Sequence, residues 1–222
     1  MIAAQATRRP LLRGLIFDLD GTLGDTLPLC IEAFRRAIEP LSDRSLTDRE
    51  IMDTFGPSEE GTIRQLIPDH YTAGVRDYLR YYAELHDLCP APFPGITELL
   101  DVLRQRNLRL GMVTGKGEHS TRITLRRFGL TGYFDPIETG RPEGPGKPQG
   151  LRRVLAAWPD IAPQELLYLG DAPSDIRACQ ETGVPVAAVL WANTTEAAEL
   201  LPLAPTYAFR TVAELRAWLL AE

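Results

Sequence analysis

The chain has 222 residues, 44% of them hydrophobic and 24% charged, which predicts a globular protein with a sizeable buried core. With 24 basic and 30 acidic residues its formal net charge is −6, and no basic run alternates with aromatics. A nucleic-acid surface is therefore disfavoured, and small molecules are the expected partners. The apolar run near the N-terminus is short, is interrupted by Arg13 and ends in acids. We therefore expect neither a secretory signal nor a membrane partner.

The rare residue types also carry information. Cys30, Cys89 and Cys179 are odd in number and lack the spacing of metal ligands, so we expect reduced structural thiols and a cytoplasmic location. Of the 24 basic residues, only Lys116 and Lys147 are lysines. This rarity marks each lysine as a candidate functional residue.

The first predicted strand ends on two carboxylates. Residues 15–17 are apolar, as in a parallel strand buried on both faces, and Asp18 and Asp20 follow them. Residues i and i+2 of an extended chain point to the same side, so both carboxylates can face one point. Like charges this close require a cation or a shared proton. The alternative is an ordinary turn with helix-capping aspartates.

Residues 26–88 are predicted to be almost entirely helical. The apolar spacing indicates helices within 27–41, 48–56, 58–67 and 71–88. The Pro- and Gly-rich segment 89–96 then forms a stiff connector, which is a plausible domain boundary.

Helices and strands alternate after this connector. Strands are expected at 108–115, 165–171, 184–190 and near 206–210, and helices at 96–107, 118–130, 151–158, 174–183 and 211–222, with a loop at 140–150. This order predicts an α/β fold, a Rossmann-like parallel sheet core with an inserted α-helical cap domain. The expected core is 1–24 plus 93–222, and the expected cap is 25–92.

Polar residues follow two further predicted strands. Thr114 begins a Gly-rich turn, whose amides can bind an anion, although such a sequence is often only a turn. Asp171 and Asp175 lie one helical turn apart and suit a hard cation, or Asp171 merely caps the next helix. Lys147 lies in the predicted loop 140–150 and, alone, could be a solvated lysine. Together these groups meet at one sheet edge and favour a Mg²⁺ site for a phosphate substrate.

The order of these motifs resembles that of the haloacid dehalogenase-like (HAD) superfamily, in its phosphoglycolate phosphatase-like branch. The matching motifs are Asp18-x-Asp20-Gly21-Thr22, Thr114, Lys147-Pro148 and Gly170-Asp171-x-x-x-Asp175. The resemblance covers essentially the whole chain. Gly115 and Ala172 depart from the usual Asn and Ser/Thr, which weakens assignment to one named substrate.

The resemblance implies a Mg²⁺-dependent phosphatase acting on a small phosphorylated metabolite, with 2-phosphoglycolate as one candidate. Asp18 would be the nucleophile and Asp20 the general acid and base, while Thr114 and Lys147 would neutralise charge on the phosphoryl group. The implied metal ligands are Asp18, the backbone carbonyl of Asp20, Asp171 and Asp175, the last as a ligand or an orienting group.

Expected substrate contacts are Thr22 and Gly115 in the core and Ser58 and Arg64 in the cap. Arg64 could pair with a substrate carboxylate or be an ordinary surface arginine. A monomer or homodimer is expected.

Within the resemblance, Asp20 disfavours a dehalogenase, and the absence of lysine between 25 and 92 disfavours a phosphonatase. A phosphosugar mutase of the beta-phosphoglucomutase type, a pyrophosphatase and a non-catalytic phosphate-binding module remain alternatives.

Overall fold

A computed structural model describes residues 11–42, 44–144 and 146–221. The first ten residues, part of the segment for which neither a signal nor a membrane span is expected, lie outside the described residues. Within the described ranges, no helix is both long and apolar enough to cross a bilayer. All three cysteines fall in these ranges and are buried free thiols.

Six parallel strands form one sheet in the order β3-β2-β1-β4-β5-β6. The strands are β1 (Gly14–Phe17), β2 (Arg109–Val113), β3 (Ile137–Glu138), β4 (Leu166–Gly170), β5 (Val186–Val189) and β6 (Tyr207–Phe209). The α/β prediction is confirmed, together with five of the six strands. Strand β3 was not predicted, because it has only two residues and therefore no alternation of polar and apolar positions to detect.

Strand β2 pairs with one side of β1, and β4 pairs with the other side. This reversal of strand order opens a crevice beyond the carboxyl ends of β1 and β4, where open α/β sheets bind ligands. The four residues of β1 are all buried, which explains their uninterrupted apolar character.

The α-helices of the described chain surround and extend this sheet. They are α1 (Leu27–Ser42), α2 (Asp48–Met52), α3 (Glu59–Leu66), α4 (Tyr71–Glu84), α5 (Ile96–Gln105), α6 (Glu118–Arg127), α7 (Lys147–Ala157), α8 (Pro173–Thr182), α9 (Ala197–Leu200) and α10 (Val212–Leu220). Helices α1–α4, inserted between β1 and β2, are called here the helical insertion.

The start of helix α7 differs from the predicted start, and the difference concerns a candidate site residue. Helix α7 begins at Lys147, so this lysine lies in the first helical turn and not in the predicted loop. Pro148 is tolerated there because the first helical positions need no N–H donor. The proline and nearby glycines obscured this helix start in the sequence.

Buried apolar residues form three clusters. One joins Leu15 and Phe17 to α5 and α10, and a second joins Ile16 to α7 and α8, so the sheet has a core on each face. The third lies within the helical insertion, where Phe34 packs on Tyr78 with ring centroids 4.5 Å apart. The insertion thus has an apolar core of its own. The predicted domain limits at 25 and 92 stay a prediction.

Hydrogen bonds attach the insertion to the α/β part. Tyr82 Oη lies 2.7 Å and His86 Nε2 3.1 Å from Thr124 Oγ1 of α6. On another side, the Ser58 amide donates to the Arg141 carbonyl at 3.0 Å. The insertion therefore lies against α6 and the loop after β3, next to the carboxyl edge of the sheet.

Candidate active site

The end of β1 holds Asp18 in a buried position. Its amide continues the ladder by donating to the Leu169 carbonyl of β4 at 2.9 Å, and its side chain is 6% exposed. One carboxylate oxygen, Oδ1, accepts from the Leu19 amide at 2.7 Å. The other, Oδ2, is left to face the neighbouring side chains.

A glycine allows the chain to turn immediately after these acids. Gly21 has φ +71°, and its amide donates to the Gly24 carbonyl at 2.9 Å. A Cβ at residue 21 would lie 2.0 Å from Oδ2 of Asp171. The glycine therefore permits both the left-handed turn and the close approach of the Asp171 carboxylate.

Lys147 bridges two of the predicted acids. Its Nζ lies 2.5 Å from Oδ2 of Asp18 and 2.5 Å from Oδ1 of Asp175. Burial lowers the pKa of Lys147, but the two carboxylates outweigh it and raise the pKa above its usual range. The pKa of Asp18 is raised by burial and by Asp175, against the opposing effect of Lys147. A fixed ammonium group thus stands beside Asp18.

Asp175 is fully buried and held from two further sides. The Tyr168 hydroxyl lies 2.7 Å from its Oδ1, and the Ala172 amide donates to its Oδ2 at 3.0 Å. Tyr168 belongs to β4 and was not among the predicted site residues. It has no sequence signal beyond being a polar-tipped residue in an apolar strand.

Three carboxylates meet where the resemblance implies a metal. Asp18, Asp171 and Asp175 each offer an oxygen, and these oxygens lie within 4.8 Å of one another. Burial raises the pKa of Asp171 well above its usual value, and the negative charges of Asp18 and Asp175 add to this rise. Lys147 offsets only part of the negative charge of these three carboxylates, and clustered carboxylate oxygens are the donor set that Mg²⁺ takes. The residues present therefore fit a divalent cation.

The side chain of Asp20 turns away from this trio. Thr26 donates to its Oδ1, and Lys116 Nζ lies 3.3 Å from the same oxygen. Burial raises the pKa of Asp20, while Lys116 and the Thr26 hydrogen bond oppose the rise. A carboxyl group with a raised pKa is suited to carrying a proton.

Lys116, the second of the rare lysines, is deeply buried next to Asp20. Its side chain is 1% exposed, and its Nζ lies 3.2 Å from Oε1 of Glu59 and 3.1 Å from Sγ of Cys30. The ammonium also lies 4.4 Å from the centroid of the Tyr82 ring. Burial lowers its pKa, but Asp20 and Cys30 raise it well above the usual value. Lys116 is therefore an internal cation.

Glu59 brings a carboxylate from α3 of the insertion into the same network. It accepts hydrogen bonds from the Gly117 amide, from Ser120 Oγ at 2.6 Å and from the Tyr78 hydroxyl at 3.2 Å. Burial acts to raise its pKa, but Lys116 and Ser120 lower it overall. Glu59 was not among the predicted site residues, because its partners are distant in the chain.

Thr114, Thr22 and Gly115 lie near the acids with different surroundings. Thr114 is 3% exposed at the end of β2, and its Oγ1 accepts from the Lys116 amide at 3.2 Å. Thr22 is fully buried, with Oγ1 3.4 Å from Oδ1 of Asp171. Gly115 faces the cavity described next. The roles predicted for these three residues remain predictions.

A cavity of about 650 Å³ lies between the sheet edge and the insertion. The α/β part contributes groups from the ends of β1, β2 and β4 and the start of α7: Asp18, Asp20, Thr114, Gly115, Lys116, Lys147 and Asp171. The insertion and the loops between its helices contribute Leu27, Cys30, Phe34, Phe55, Gly56, Pro57, Glu59 and Thr62. The candidate nucleophile Asp18, the candidate general acid Asp20 and both lysines thus line the same cavity.

The two predicted cap contacts do not line this cavity. Ser58 is 1% exposed, and its hydroxyl donates to Oε2 of Glu60 at 2.6 Å. Arg64 is exposed, with its guanidinium carbon 5.1 Å from the centroid of the Tyr71 ring. The structure thus brings Asp18, Asp20, Thr114, Lys147 and Asp171 together but leaves Ser58 and Arg64 outside the described lining.

Comparison with known proteins agrees with this geometry. The family model "Haloacid dehalogenase-like hydrolase" matches residues 15–189. A pyrophosphatase PpaX from Listeria welshimeri is 30% identical over 185 residues, covering 80% of this chain and 83% of the relative.

Solved structures agree as well. A haloacid dehalogenase-like family hydrolase from Streptococcus pneumoniae is 28% identical, with a TM-score of 0.75, covering 94% of this chain and 98% of that one. A predicted phosphoglycolate phosphatase from Haemophilus somnus shares the fold at 21% identity, with a TM-score of 0.77 and coverage of 92% and 96%. The family match extends from β1 to β5 and includes every residue of the acidic trio. The chain therefore belongs to the haloacid dehalogenase-like hydrolases and is an enzyme of the phosphatase type.

Proposed function

We propose that the protein is a Mg²⁺-dependent hydrolase of small-molecule phosphomonoesters that works through an aspartyl-phosphate. The observation that carries this proposal is the contact of Lys147 with Asp18 and Asp175, next to Asp171 and facing the cavity. A carboxylate nucleophile needs a nearby positive charge to approach an anionic phosphate, and Lys147 supplies one.

In the first step a carboxylate oxygen of Asp18 attacks phosphorus. A phosphorus–oxygen bond to Asp18 forms, the bond to the ester oxygen breaks, and the alcohol leaves with its bonding electron pair. Asp20 gives that oxygen a proton, so that a neutral hydroxyl group departs. The raised pKa of Asp20 supports this role.

In the second step water attacks the phosphorus of the aspartyl-phosphate. Asp20, now a carboxylate, takes a proton from the water, and the bond between phosphorus and Asp18 breaks. Inorganic phosphate is released and both aspartates return to their initial states. Asp20 lies two residues from Asp18 and is anchored by Thr26 and Lys116, which supports its action on both the alcohol and the water.

The remaining groups bind and orient the phosphoryl group. Asp18, Asp171 and Asp175 would hold Mg²⁺, together with the backbone carbonyl of Asp20. The bound ion would supply positive charge to the phosphate oxygens. Lys147 adds a fixed cation from the start of α7. We place the Thr114 hydroxyl and the turn amides near Gly115 on the phosphate oxygens.

Three specific activities should be tested beside general phosphomonoester hydrolysis. Pyrophosphate hydrolysis is favoured by the names of the curated relatives, and 2-phosphoglycolate hydrolysis by the motif pattern described above. A phosphosugar mutase would use the same two aspartates. A cytoplasmic monomer or homodimer is proposed on the sequence alone.

Release of inorganic phosphate from an ester panel tests the proposal. We expect turnover with Mg²⁺ but not with excess chelator, and a loss of at least about 1,000-fold for Asp18→Asn. Asp53→Asn, on the exposed side of the insertion, should act like the wild type. Near-wild-type turnover by Asp18→Asn would refute the mechanism. Isomerisation of a hexose 1-phosphate with a bisphosphate primer, without phosphate release, would identify a mutase instead.

A further inference from the structure

We propose that the alcohol released from the phosphate is uncharged and largely apolar. This inference rests on the proposed function, because it describes the leaving group of the same reaction. It concerns the side of the cavity formed by the helical insertion, opposite the acidic trio.

The wall that the insertion presents to the cavity is mainly apolar. Leu27, Phe34, Phe55 and Pro57 contribute hydrocarbon surface to it. Phe55 is 39% exposed, although its ring lies 5.8 Å, centroid to centroid, from the ring of the buried Phe34. A large apolar side chain with an uncovered face inside a cavity favours a ligand with apolar surface.

The polar side chains on this wall already have partners within the protein. Thr62 donates to the Thr54 carbonyl at 3.1 Å. Glu59 is surrounded by Lys116, Ser120 and other donors, and Cys30 faces the Lys116 ammonium. A charged leaving group would therefore lose its water without gaining a matching partner on this side.

The cations of the cavity are similarly engaged. An ammonium has three N–H donors, and Lys116 Nζ faces Asp20 at 3.3 Å, Glu59 at 3.2 Å and Cys30 at 3.1 Å. Lys147 is held between Asp18 and Asp175. Within the described chain, the insertion contributes no lysine or arginine to the lining.

The charge balance of the lining also opposes an anionic leaving group. Among the described lining residues, seven carry carboxylates, whereas only Lys116, Lys147 and Arg177 are cationic. Arg177 is exposed on α8, which belongs to the α/β part and not to the insertion, with Glu181 one turn later on the same helix. A second phosphate or a carboxylate on the leaving group would face net negative charge.

The size of the cavity also favours a leaving group larger than glycolate or phosphate. Cavities of about 300–1,000 Å³ typically hold drug-sized ligands, and this one has about 650 Å³. Glycolate or a second phosphate would fill only a small part of it and would leave the Phe55 ring uncovered. A ring or a medium-length alkyl group would cover that ring.

A matched set of esters isolates the charge of the leaving group. Benzyl phosphate, 4-carboxybenzyl phosphate and 4-(aminomethyl)benzyl phosphate share the same ester chemistry and ring. We expect benzyl phosphate to have the highest kcat/KM, by about tenfold or more over each charged analogue. The kcat/KM for benzyl phosphate should also exceed the values for 2-phosphoglycolate and pyrophosphate. Equal or faster turnover of a charged analogue, of 2-phosphoglycolate or of pyrophosphate would overturn the inference while leaving the phosphatase proposal standing.

Substitutions at Phe55 test the proposed wall. Phe55→Ala should lower kcat/KM for benzyl phosphate by about tenfold but change that for methyl phosphate little. Phe55→Arg should shift the preference toward the carboxylate analogue. Leu88→Ala is the control, because Leu88 is also a large exposed apolar residue, at 57%, but lies outside the cavity lining. An equal loss for both esters in Phe55→Ala would contradict contact with the leaving group.

Binding separates the two proposals if no ester is hydrolysed. Benzylphosphonate and 4-carboxybenzylphosphonate have a stable carbon–phosphorus bond, so calorimetry measures their Kd for the wild-type protein in Mg²⁺ without turnover. Tighter binding of benzylphosphonate, whose organic group is uncharged, by about tenfold would still support an apolar, uncharged organic group on the bound phosphate compound. Equal binding, or tighter binding of the carboxylate, refutes it. Absence of turnover for every ester refutes the phosphatase proposal alone.

Discussion

The ammonium nitrogen of Lys116 lies 3.2 Å from Oε1 of Glu59, in a buried ion pair between the loop after β2 and helix α3 of the helical insertion. The side chains are 1% and 10% exposed. Lys116 also contacts Asp20, so one cation connects the insertion to the candidate general acid. Because removal of one member leaves the other charge buried without a partner, this pair should matter for stability.

Glu59→Gln should reduce the free energy of unfolding by about 3 kcal/mol at neutral pH. The pKa of Glu59 is below its usual 4.5 in the folded protein. Its carboxylate therefore stabilises the fold above pH 4.5, and this contribution is lost as the pH falls through the lower folded-state pKa. The difference between wild type and variant, from urea unfolding at several pH values, should shrink on acidification.

Glu118→Gln is the matched control for this experiment. Glu118 is an exposed glutamate at the start of α6 that pairs with Arg122 on the surface. Surface pairs contribute roughly 0–1 kcal/mol, so this variant should unfold almost as the wild type does. A Glu59→Gln variant as stable as Glu118→Gln at neutral pH would contradict a structural role for the Lys116 pair.

Lys147→Met should lower kcat by at least about 100-fold, because it removes the fixed cation beside Asp18. Steady-state phosphate release measures this effect, and circular dichroism checks the fold. Arg126→Met, on the exposed face of α6, removes a cation far from the acids and should leave kcat unchanged. If the two variants had similar activity, Lys147 would not take part in the reaction.

Tyr168→Phe removes the hydroxyl that lies 2.7 Å from Asp175 and 2.8 Å from the Val113 carbonyl. The ring still fills its buried position in β4, so the fold should persist. Without this contact, Asp175 is less firmly oriented, and we expect Mg²⁺ affinity or activity to fall by about tenfold. The Mg²⁺ concentration that gives half-maximal phosphate release reports the change. An unchanged value would mean that Asp175 does not depend on Tyr168.

Asp171→Asn should stabilise the metal-free protein and weaken the binding of Mg²⁺. Repulsion among Asp18, Asp171 and Asp175, which Lys147 offsets only in part, disfavours the folded state without a metal ion, so the amide should raise Tm in chelator. Mg²⁺ should raise the Tm of the wild type, because a ligand that binds only the folded state stabilises it, but should affect the variant much less. Equal Mg²⁺ shifts in both proteins would place the ion elsewhere.

The sheet and the acidic edge were predictable because their signals are local. The apolar run before Asp18 and the Gly-Asp pair at Asp171 each lie within a few residues of a strand end. Parallel strands then bring these ends to one edge, whatever the loops between them do. For the same reason the two-residue strand β3, which carries no repeating pattern, was missed.

The residues that position the candidate site residues could not be predicted from the sequence. Glu59 reaches Lys116 across 57 positions of the chain, and Tyr168 reaches Asp175 only because α8 folds back onto β4. Arg64 shows the converse: it was a predicted substrate contact with a surface arginine as the alternative, and it lies exposed on α3 with its guanidinium over the Tyr71 ring. Side-chain direction depends on packing that a motif does not encode.

In the proposed mechanism, Asp18 carries the phosphoryl group during turnover. Wild-type enzyme mixed with Mg²⁺ and an excess of benzyl phosphate can be acid-quenched within one turnover and digested for mass spectrometry. We expect one added phosphoryl group on the peptide that contains Asp18, sensitive to hydroxylamine and absent from Asp18→Asn. Steady phosphate release with no modified Asp18, or modification of another residue, would contradict it.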